Sequence, residues 1–344
     1  MLQPLPGEPA TVPPVELLDF IKQGSRFIIA GHMEPDADCI GSQLALASAL
    51  RRMGKEALPY SAGPFKRPEV KPYEHLFTIV SKRDGSPGEL LPTEPPGTRA
   101  LIVDCSSVDR TGDLEPLLKR LPSAIIDHHD TCCGQGGERP DYVDANALST
   151  TLMVFKVITA LGLELLKEEA ELLFLGLCTD TGFFRHIDNG GAETFEAAAA
   201  LIRCGACPKT AFAAMYGGKS FNSRRLLGHV LVRAESLFDG KLIVSSEEYE
   251  ETCRLGLEGR DSDTLYQLLQ SVDGVQAIVI IRQESPENCT VGFRSRDRID
   301  VGGIAESFGG GGHKNAAGLS IAGTIPDIKP KIIHAFETVF TAHP

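Results

Sequence analysis

With 344 residues, 42% of them apolar and 23% charged, the chain is long enough for about two domains of roughly 150 residues, each with its own core; this composition argues against a mainly disordered protein. Lys plus Arg number 34 against 46 Asp plus Glu, and the formal charge of −12 argues against coating of long duplex nucleic acid, while leaving room for a short anion held by metals and a few arginines. The N-terminus has no basic region followed by an apolar stretch, and no run reaches the ~18 consecutive apolar residues of a membrane span, so a cytoplasmic protein is expected.

From about Leu17 to Ala200, apolar strand-like segments alternate with helical ones, the pattern of parallel βαβ units and hence of an α/β fold. A strand near 26–31 leads into His32, Asp36 and Asp38, and a helix near 40–53 follows. Sheets of this class collect ligands at the carboxyl ends of their strands, where this loop lies. Asp is also a good helix N-cap, but capping accounts for one Asp and leaves His32 and the other unexplained. After a strand near 56–60, the stretch 61–97 carries Pro64, Pro68, Pro72, Pro87, Pro92, Pro95 and Pro96 and reads as an irregular surface excursion.

A strand near 99–104 ends on Asp104, and one near 123–127 ends in Asp127-His128-His129. Helices are expected near 149–162, 167–178 and 191–203, with Asp180 closing Cys178-Thr179-Asp180. Each residue alone has a structural reading: Asp104 as a turn or cap, the His pair as satisfied core residues, Asp180 as a partner of the neighbouring threonines. Their recurrence at element ends in one domain points instead to one polynuclear metal site. Oxygen and imidazole donors without thiolates suit Mn²⁺ or Mg²⁺ better than a structural zinc, and Co²⁺ or Fe²⁺ also fit. Two such ions can activate water and stabilise both oxygens of a phosphoryl displacement, so phosphate-ester hydrolysis is the expected chemistry.

Nine Cys at scattered positions suit a reducing compartment better than a disulfide framework. Cys204-Gly205-Ala206-Cys207 reads as a helix end. Cys39, Cys105 and Cys178, each within two residues of a candidate ligand, read as small buried hydrophobes, with oxidation-sensitive thiols as the minority reading.

After Cys207 the pattern changes, and the polar run Tyr216 to Arg225 reads as linker. The expected division is 1–205, a linker over 206–225, and a smaller mixed α/β domain over 226–344. Strands are expected there near 242–245, 277–282 and 289–294, and helices near 262–271, 301–308 and 327–341. This half supplies Gly309-Gly310-Gly311-Gly312-His313-Lys314-Asn315-Ala316-Ala317-Gly318, preceded by Phe293-Arg294-Ser295. Consecutive glycines free backbone N–H groups to approach an anion, and Arg294 can grip a phosphate with two hydrogen bonds.

Asp127-His128-His129 and the Gly309 to Gly318 run together resemble the DHH phosphoesterase superfamily with its DHH-associated C-terminal domain, over most of the chain. The His32/Asp36/Asp38 motif and Phe293-Arg294-Ser295 look like the nanoRNase group of bifunctional oligoribonucleases and 3′-phosphoadenosine 5′-phosphate (PAP) phosphatases. The resemblance implies a parallel-sheet catalytic domain, a smaller mixed domain and an active site in the cleft between them. It implies two Mn²⁺ ions, with Mg²⁺ or Co²⁺ as alternatives: His32, Asp36 and Asp104 hold one, while Asp38, Asp104, His128 and Asp180 hold the other. Asp127 is then expected to orient ligands and His129 to face the scissile phosphate. Arg294, Ser295, Gly311, Gly312, His313 and Asn315 would receive the terminal phosphate or nucleotide end, and Arg185 reads either as a further phosphate contact or as a surface charge. The implied partner is a short oligonucleotide or nucleotide, not long duplex and not a membrane; a homodimer is left open.

One departure is Asp36-Ala37-Asp38 where the family has Asp-Gly-Asp; Ala is the smallest alternative, so a retained site with a slightly altered loop is expected. His186 stands where relatives often carry an aromatic residue and is expected to stack on base or ribose. The expected activity is hydrolysis of very short oligonucleotides, with PAP as a second substrate. A phosphodiesterase for cyclic di-AMP or pApA is the close alternative. A RecJ-like DNA exonuclease and a family II pyrophosphatase fit less well, because the chain is acidic with no extra nucleic-acid module and its glycine run is not the pyrophosphatase's basic cluster. A catalytically silent nucleotide-binding regulator is disfavoured by the complete ligand set.

Overall fold

The computed structural model describes residues 12–80, 94–129, 139–187, 191–256, 260–296 and 299–341. They fall into two compact units, Met1–Gly217 and Gly218–Pro344.

In the first unit the chain runs α1 (Val15–Gln23), β1 (Arg26–Ala30), α2 (Ala37–Arg52), β2 (Glu56–Ser61), β3 (Thr78–Ile79), β4 (Thr98–Val103), α3 (Glu115–Leu118), β5 (Ser123–Asp127) and β6 (Tyr142–Val143). Helices α4 (Thr150–Ala160), α5 (Lys167–Asp180), α6 (Ala192–Arg203) and α7 (Pro208–Tyr216) follow. The six strands pair in parallel in the order β3-β2-β1-β4-β5-β6. Side chains alternate across a strand, so Phe27 and Ile29 enter the core shared with α2, α4 and α5, while Ile28 and Ala30 pack with Leu114, Leu117 and Leu118 on the other face. Burial on both faces is why these strands read as continuous apolar runs.

The strand order reverses between β1 and β4. Loops leaving those two strands diverge, which opens a crevice at their carboxyl ends. Two helical glycines bring the flanking helices close to it. A Cβ on Gly41 of α2 would stand 2.6 Å from the Leu172 carbonyl oxygen, and one on Gly176 of α5 would stand 2.5 Å from Thr151 Cγ2. Of the proline-rich excursion, 61–80 contains a cis Gly63–Pro64 bond, a 3-10 helix over Lys71–Leu76 and β3, while 81–93 lies outside the described residues.

The second unit holds α8 (Phe221–Val232), β7 (Glu235–Leu237), β8 (Leu242–Glu247), α9 (Tyr249–Leu255), α10 (Ser262–Gln270), β9 (Ala277–Ser285), β10 (Asn288–Ser295), α11 (Val301–Ser307), β11 (Gly311–His313), β12 (Ala316–Ala322) and α12 (Ile325–Thr341). Its sheet, in the order β11-β12-β10-β9-β8-β7, is mixed: β8 and β9 are parallel and the other pairs antiparallel. Val279, Ile281, Val291 and Phe293 pack with α11 and α12, while Ile278 and Ile280 pack with α8 and α10.

The division between the units, at Gly217–Gly218, falls inside the stretch 206–225 read as linker, and that stretch is largely helical, being filled by α7 and the start of α8 with Gly217–Ser220 between them. Pro208 is at the first position of α7, and Ser220 accepts a hydrogen bond from Ser223 N at 3.0 Å to cap α8, so residues that look like loop punctuation are helix starts. The second half of the glycine run is strand: Gly311–His313 pairs with Ala316–Gly318 as a hairpin. Among the described residues no helix is long and apolar enough to cross a membrane.

Candidate metal centre

Asp36 ends the loop after β1 and caps α2, its Oδ1 accepting from Cys39 N at 3.1 Å. Asp38 is the second residue of the helix, in its first turn, and is fully buried. Its carboxylate accepts from Thr150 N at 2.6 Å, Thr151 N at 2.8 Å and Thr151 Oγ1 at 2.6 Å. The N-terminus of α4, a natural place for a carboxylate, thus holds Asp38 in one orientation. Asp104 follows β4 with φ 54, in the left-handed region, and its Oδ1 accepts from Thr150 Oγ1 at 3.1 Å.

The two histidines nearest these carboxylates are turned the same way. His32 Nδ1 is 2.9 Å from the Met33 carbonyl oxygen and His128 Nδ1 is 3.2 Å from that of Ala147. Donation from Nδ1 leaves each Nε2 to face the acidic cluster as a ligand. His32 Nε2 is 3.4 Å from Asp104 Oδ2 and 3.8 Å from Asp36 Oδ1. His128 Nε2 is 3.2 Å from Asp180 Oδ2, 3.6 Å from Asp104 Oδ1 and 3.9 Å from Asp38 Oδ2. His129 Nδ1 lies 2.8 Å from Asp127 Oδ1 and 3.7 Å from Asp104 Oδ1.

Three overlapping groups have ligand atoms within 4.8 Å of one another: Asp38, His128 and Asp180; Asp104, His128 and His129; and His32, Cys39 and Asp104. These groups hold five of the six candidate ligands named from sequence, and Asp36 adjoins them through His32 at 3.8 Å. Cys39 was placed nearby by sequence but not among the ligands. Burial pushes its thiol, and those of Cys105 and Cys178, upward, the latter two to about 12, so all three are neutral thiols.

The electrostatics test whether the cluster fits a cation. Burial, then the charges of Asp180 and Asp104, push the Asp38 carboxyl well above its ordinary value. Burial also raises Asp180, against the lowering effect of His128, with Asp104 and Asp36 adding repulsion. Burial opposes charge on His32 and His128, yet the carboxylates override it, Asp104 and Asp36 raising His32 to about 10 and Asp180 and Asp104 raising His128 to about 9. Crowded buried carboxylates with oriented imidazoles make an oxygen and nitrogen donor set suited to a divalent cation.

The remaining candidates divide between the units. Arg185 is exposed, its Nε donating to the Gly182 carbonyl oxygen at 2.8 Å. A Cβ on Gly182, whose φ is 56, would stand 2.5 Å from the His186 ring and 3.2 Å from Arg185 Nη2, so both side chains lie over that glycine. In the second unit, the register Arg294↔Ala316↔His313 puts Arg294 and His313 on the same face of the sheet with only a small side chain between. The next row, Gly292↔Gly318↔Gly311, has no side chains. The Arg294 guanidinium stacks 4.7 Å from the Tyr266 ring centroid. Gly312, His313 and Asn315 are exposed in the hairpin. Ser295 is the exception: it is buried, and its hydroxyl donates to the Ile299 carbonyl oxygen at 2.8 Å, so it ties the backbone together rather than presenting a donor to substrate.

Fold and cluster together define the class, a two-unit α/β phosphoesterase with a cation-binding cluster at the switch point of a parallel sheet. Residues 26–177 match the DHH family, N-terminal domain, and residues 239–342 match the DHHA1 domain. The chain is 33% identical to the bifunctional oligoribonuclease and PAP phosphatase NrnA of Thermus thermophilus, over 86% of this chain and 84% of that one. It is 26% identical to the Bacillus subtilis protein of the same description, over 95% and 99% of the two chains. A crystal structure of an exopolyphosphatase-related protein from Bacteroides fragilis shares the fold, with a TM-score of 0.75 at 21% identity over 95% of each chain. The chain belongs to the DHH family of phosphoesterases.

Proposed function

We propose that the protein is a two-metal phosphoesterase that hydrolyses very short oligonucleotides, dinucleotides first among them, to mononucleotides, and also removes the 3′-phosphate of PAP. The observation that carries this reading is Asp104, whose Oδ2 faces His32 at 3.4 Å and whose Oδ1 faces His128 at 3.6 Å, so that one buried carboxylate serves two cation positions. In this reading His32 and Asp36 complete one position, and Asp38, His128 and Asp180 the other. Cations bound there, Mn²⁺ with Mg²⁺ or Co²⁺ as alternatives, supply Lewis-acid activation of water and of the phosphoryl oxygens.

The protein's own groups do the rest. Asp127 fixes the His129 ring through Nδ1, so Nε2 is available to hydrogen-bond a phosphoryl oxygen in the transition state. Arg294 and His313 take the terminal phosphate, with Gly311, Gly312 and Asn315 offering donors from the hairpin, and Arg185 is a further phosphate contact. The first unit carries the chemistry and the second the recognition. Similarity to the two oligoribonuclease and PAP phosphatase relatives supports this substrate class, and the reading places the protein in the cytoplasm.

The test is a Mn²⁺-supported panel of pApA, short RNA, short DNA, cyclic di-AMP, PAP and pyrophosphate. Turnover of pApA and PAP above the others is expected. Preference for cyclic di-AMP would move the substrate to cyclic dinucleotides, and no turnover of any would favour a silent nucleotide-binding regulator.

A further inference from the structure

Beside the cluster stands a cation that the reading above leaves unused. After β2 the chain turns through Ala62 to Arg67 and is pinned to the loop that carries the first ligands. Glu34 N donates to the Gly63 carbonyl oxygen at 2.9 Å, Lys66 Nζ pairs with Glu34 Oε1 at 2.5 Å, and the buried Phe65 ring lies 5.2 Å from that of Phe77. The Arg67 carbonyl oxygen accepts from Val70 N and Lys71 N, at 3.2 and 3.1 Å. The Arg67 backbone is therefore fixed while its guanidinium extends to within 3.9 Å of Asp36 Oδ2, with 56% of the side chain exposed. Among the described residues, no other Lys or Arg comes within 4.0 Å of the carboxylates of Asp36, Asp38, Asp104 or Asp180.

A half-exposed pair at that distance contributes little to stability, so Arg67 is not needed to hold the loop. When Asp36 engages a cation its charge is committed there, and Arg67 keeps a planar fork of donors facing solvent. Asp36 is also the outer member of its group, 20% exposed against 3% for Asp104. A guanidinium beyond Asp36 thus lies farther out than Asp104, the carboxylate shared by the two proposed cation positions.

We propose that Arg67 is a specificity-determining residue that grips the phosphate next along the strand beyond the scissile one, so that the site distinguishes a trinucleotide from a dinucleotide. This rests on the phosphoesterase reading and adds a length-dependent contact to it. In a dinucleotide such as pApA the one internucleotide phosphate is the scissile one and the terminal phosphate is taken by Arg294 and His313, so no further phosphate is left for Arg67.

Steady-state kinetics of Arg67→Gln with pApA and pApApA test it, with Arg67→Lys alongside. For the trinucleotide, KM should rise about tenfold, equivalent to about 1.4 kcal/mol, with kcat little changed; for pApA both constants should stay within about twofold. Lys should recover part of the loss, as a point charge without the fork. Binding of a non-hydrolysable phosphorothioate trinucleotide should lose about 0.7 from its log-log salt slope in the Gln variant. An equal KM rise for both substrates, or no rise with an unchanged salt slope, overturns the proposal. If the unaltered protein hydrolyses neither substrate, the phosphoesterase reading fails, and the binding measurement still decides whether Arg67 contacts the additional phosphate.

Discussion

His129 Nδ1 and Asp127 Oδ1 lie 2.8 Å apart at the end of β5, and the carboxylate is fully buried while the ring is 37% exposed. One residue of a strand end anchors the other, so the imidazole cannot rotate without breaking a part-buried hydrogen bond, which leaves Nε2 without a claim on it from Asp127.

Replacing Asp127 with Asn tests this anchoring. An amide keeps the shape but can turn its nitrogen toward Nδ1, which favours the wrong tautomer. We expect kcat to fall about 10- to 100-fold in Asp127→Asn, with bound metal unchanged by elemental analysis. His129→Ala should lose activity comparably and the double variant little more, because the two residues act as a unit. Independent, additive losses would separate their roles.

Asp104→Asn tests the shared carboxylate. Asn tolerates the left-handed φ of 54 at this position, so the backbone is preserved. Turnover should fall at least about a thousandfold, on the order of 4 kcal/mol of transition-state stabilisation, and metal stoichiometry should drop. Full activity would eliminate the bridging role.

The acidity of the cluster sets a pH dependence with a definite sign. The metal-free His32 and His128 are raised to about 10 and about 9 from 6.5, so their contribution to stability is full below about pH 6.5 and is lost as pH rises through 9 to 10. The metal-free protein should therefore melt progressively lower from pH 7 to pH 10. Metal binding needs neutral imidazoles, so Mn²⁺ affinity should strengthen over the same interval with proton release at pH 7, read by calorimetry in buffers of different ionisation enthalpy. Affinity independent of pH, without proton release, would contradict this protonation scheme.

The strands carrying the centre are legible because each is an apolar run buried on both faces and ending in a polar group: Phe27 to Ala30, Ala100 to Val103, Ala124 to Ile126. The supports of Asp38 are not. Thr150 and Thr151 reach it from 112 and 113 residues along the chain, and no local pattern announces that contact. Ser295 is misread beside Arg294 because adjacent strand residues point to opposite faces, and Ser295 takes the buried one. The hairpin is concealed because glycine is poor in strands, and pairing with β12 supplies what local preference lacks. Arg67 is one of many surface cations until the fold sets it beside Asp36.

Close helix packing at Gly176 yields the last prediction. A Cβ there would stand 2.5 Å from Thr151 Cγ2, 2.9 Å from Asp38 Cα and 3.0 Å from the Ala37 carbonyl oxygen, so the added methyl must push α5 away from both the ligand and its hydrogen-bond donor. Gly176→Ala gains about 1 kcal/mol of helix propensity but overpacks the core at a cost of about 1–3 kcal/mol. We expect a net loss of stability and weaker Mn²⁺ binding, because Thr151 and Asp38 are forced out of register. Gly228→Ala in α8 is the control: a Cβ at that site meets nothing within 4 Å, so this variant should be stabilised by up to about 1 kcal/mol with metal affinity unchanged. Thermal melts and Mn²⁺ titrations on the two variants check both halves, and equal metal affinity in Gly176→Ala would show that the approach of α2 and α5 does not set the geometry of Asp38.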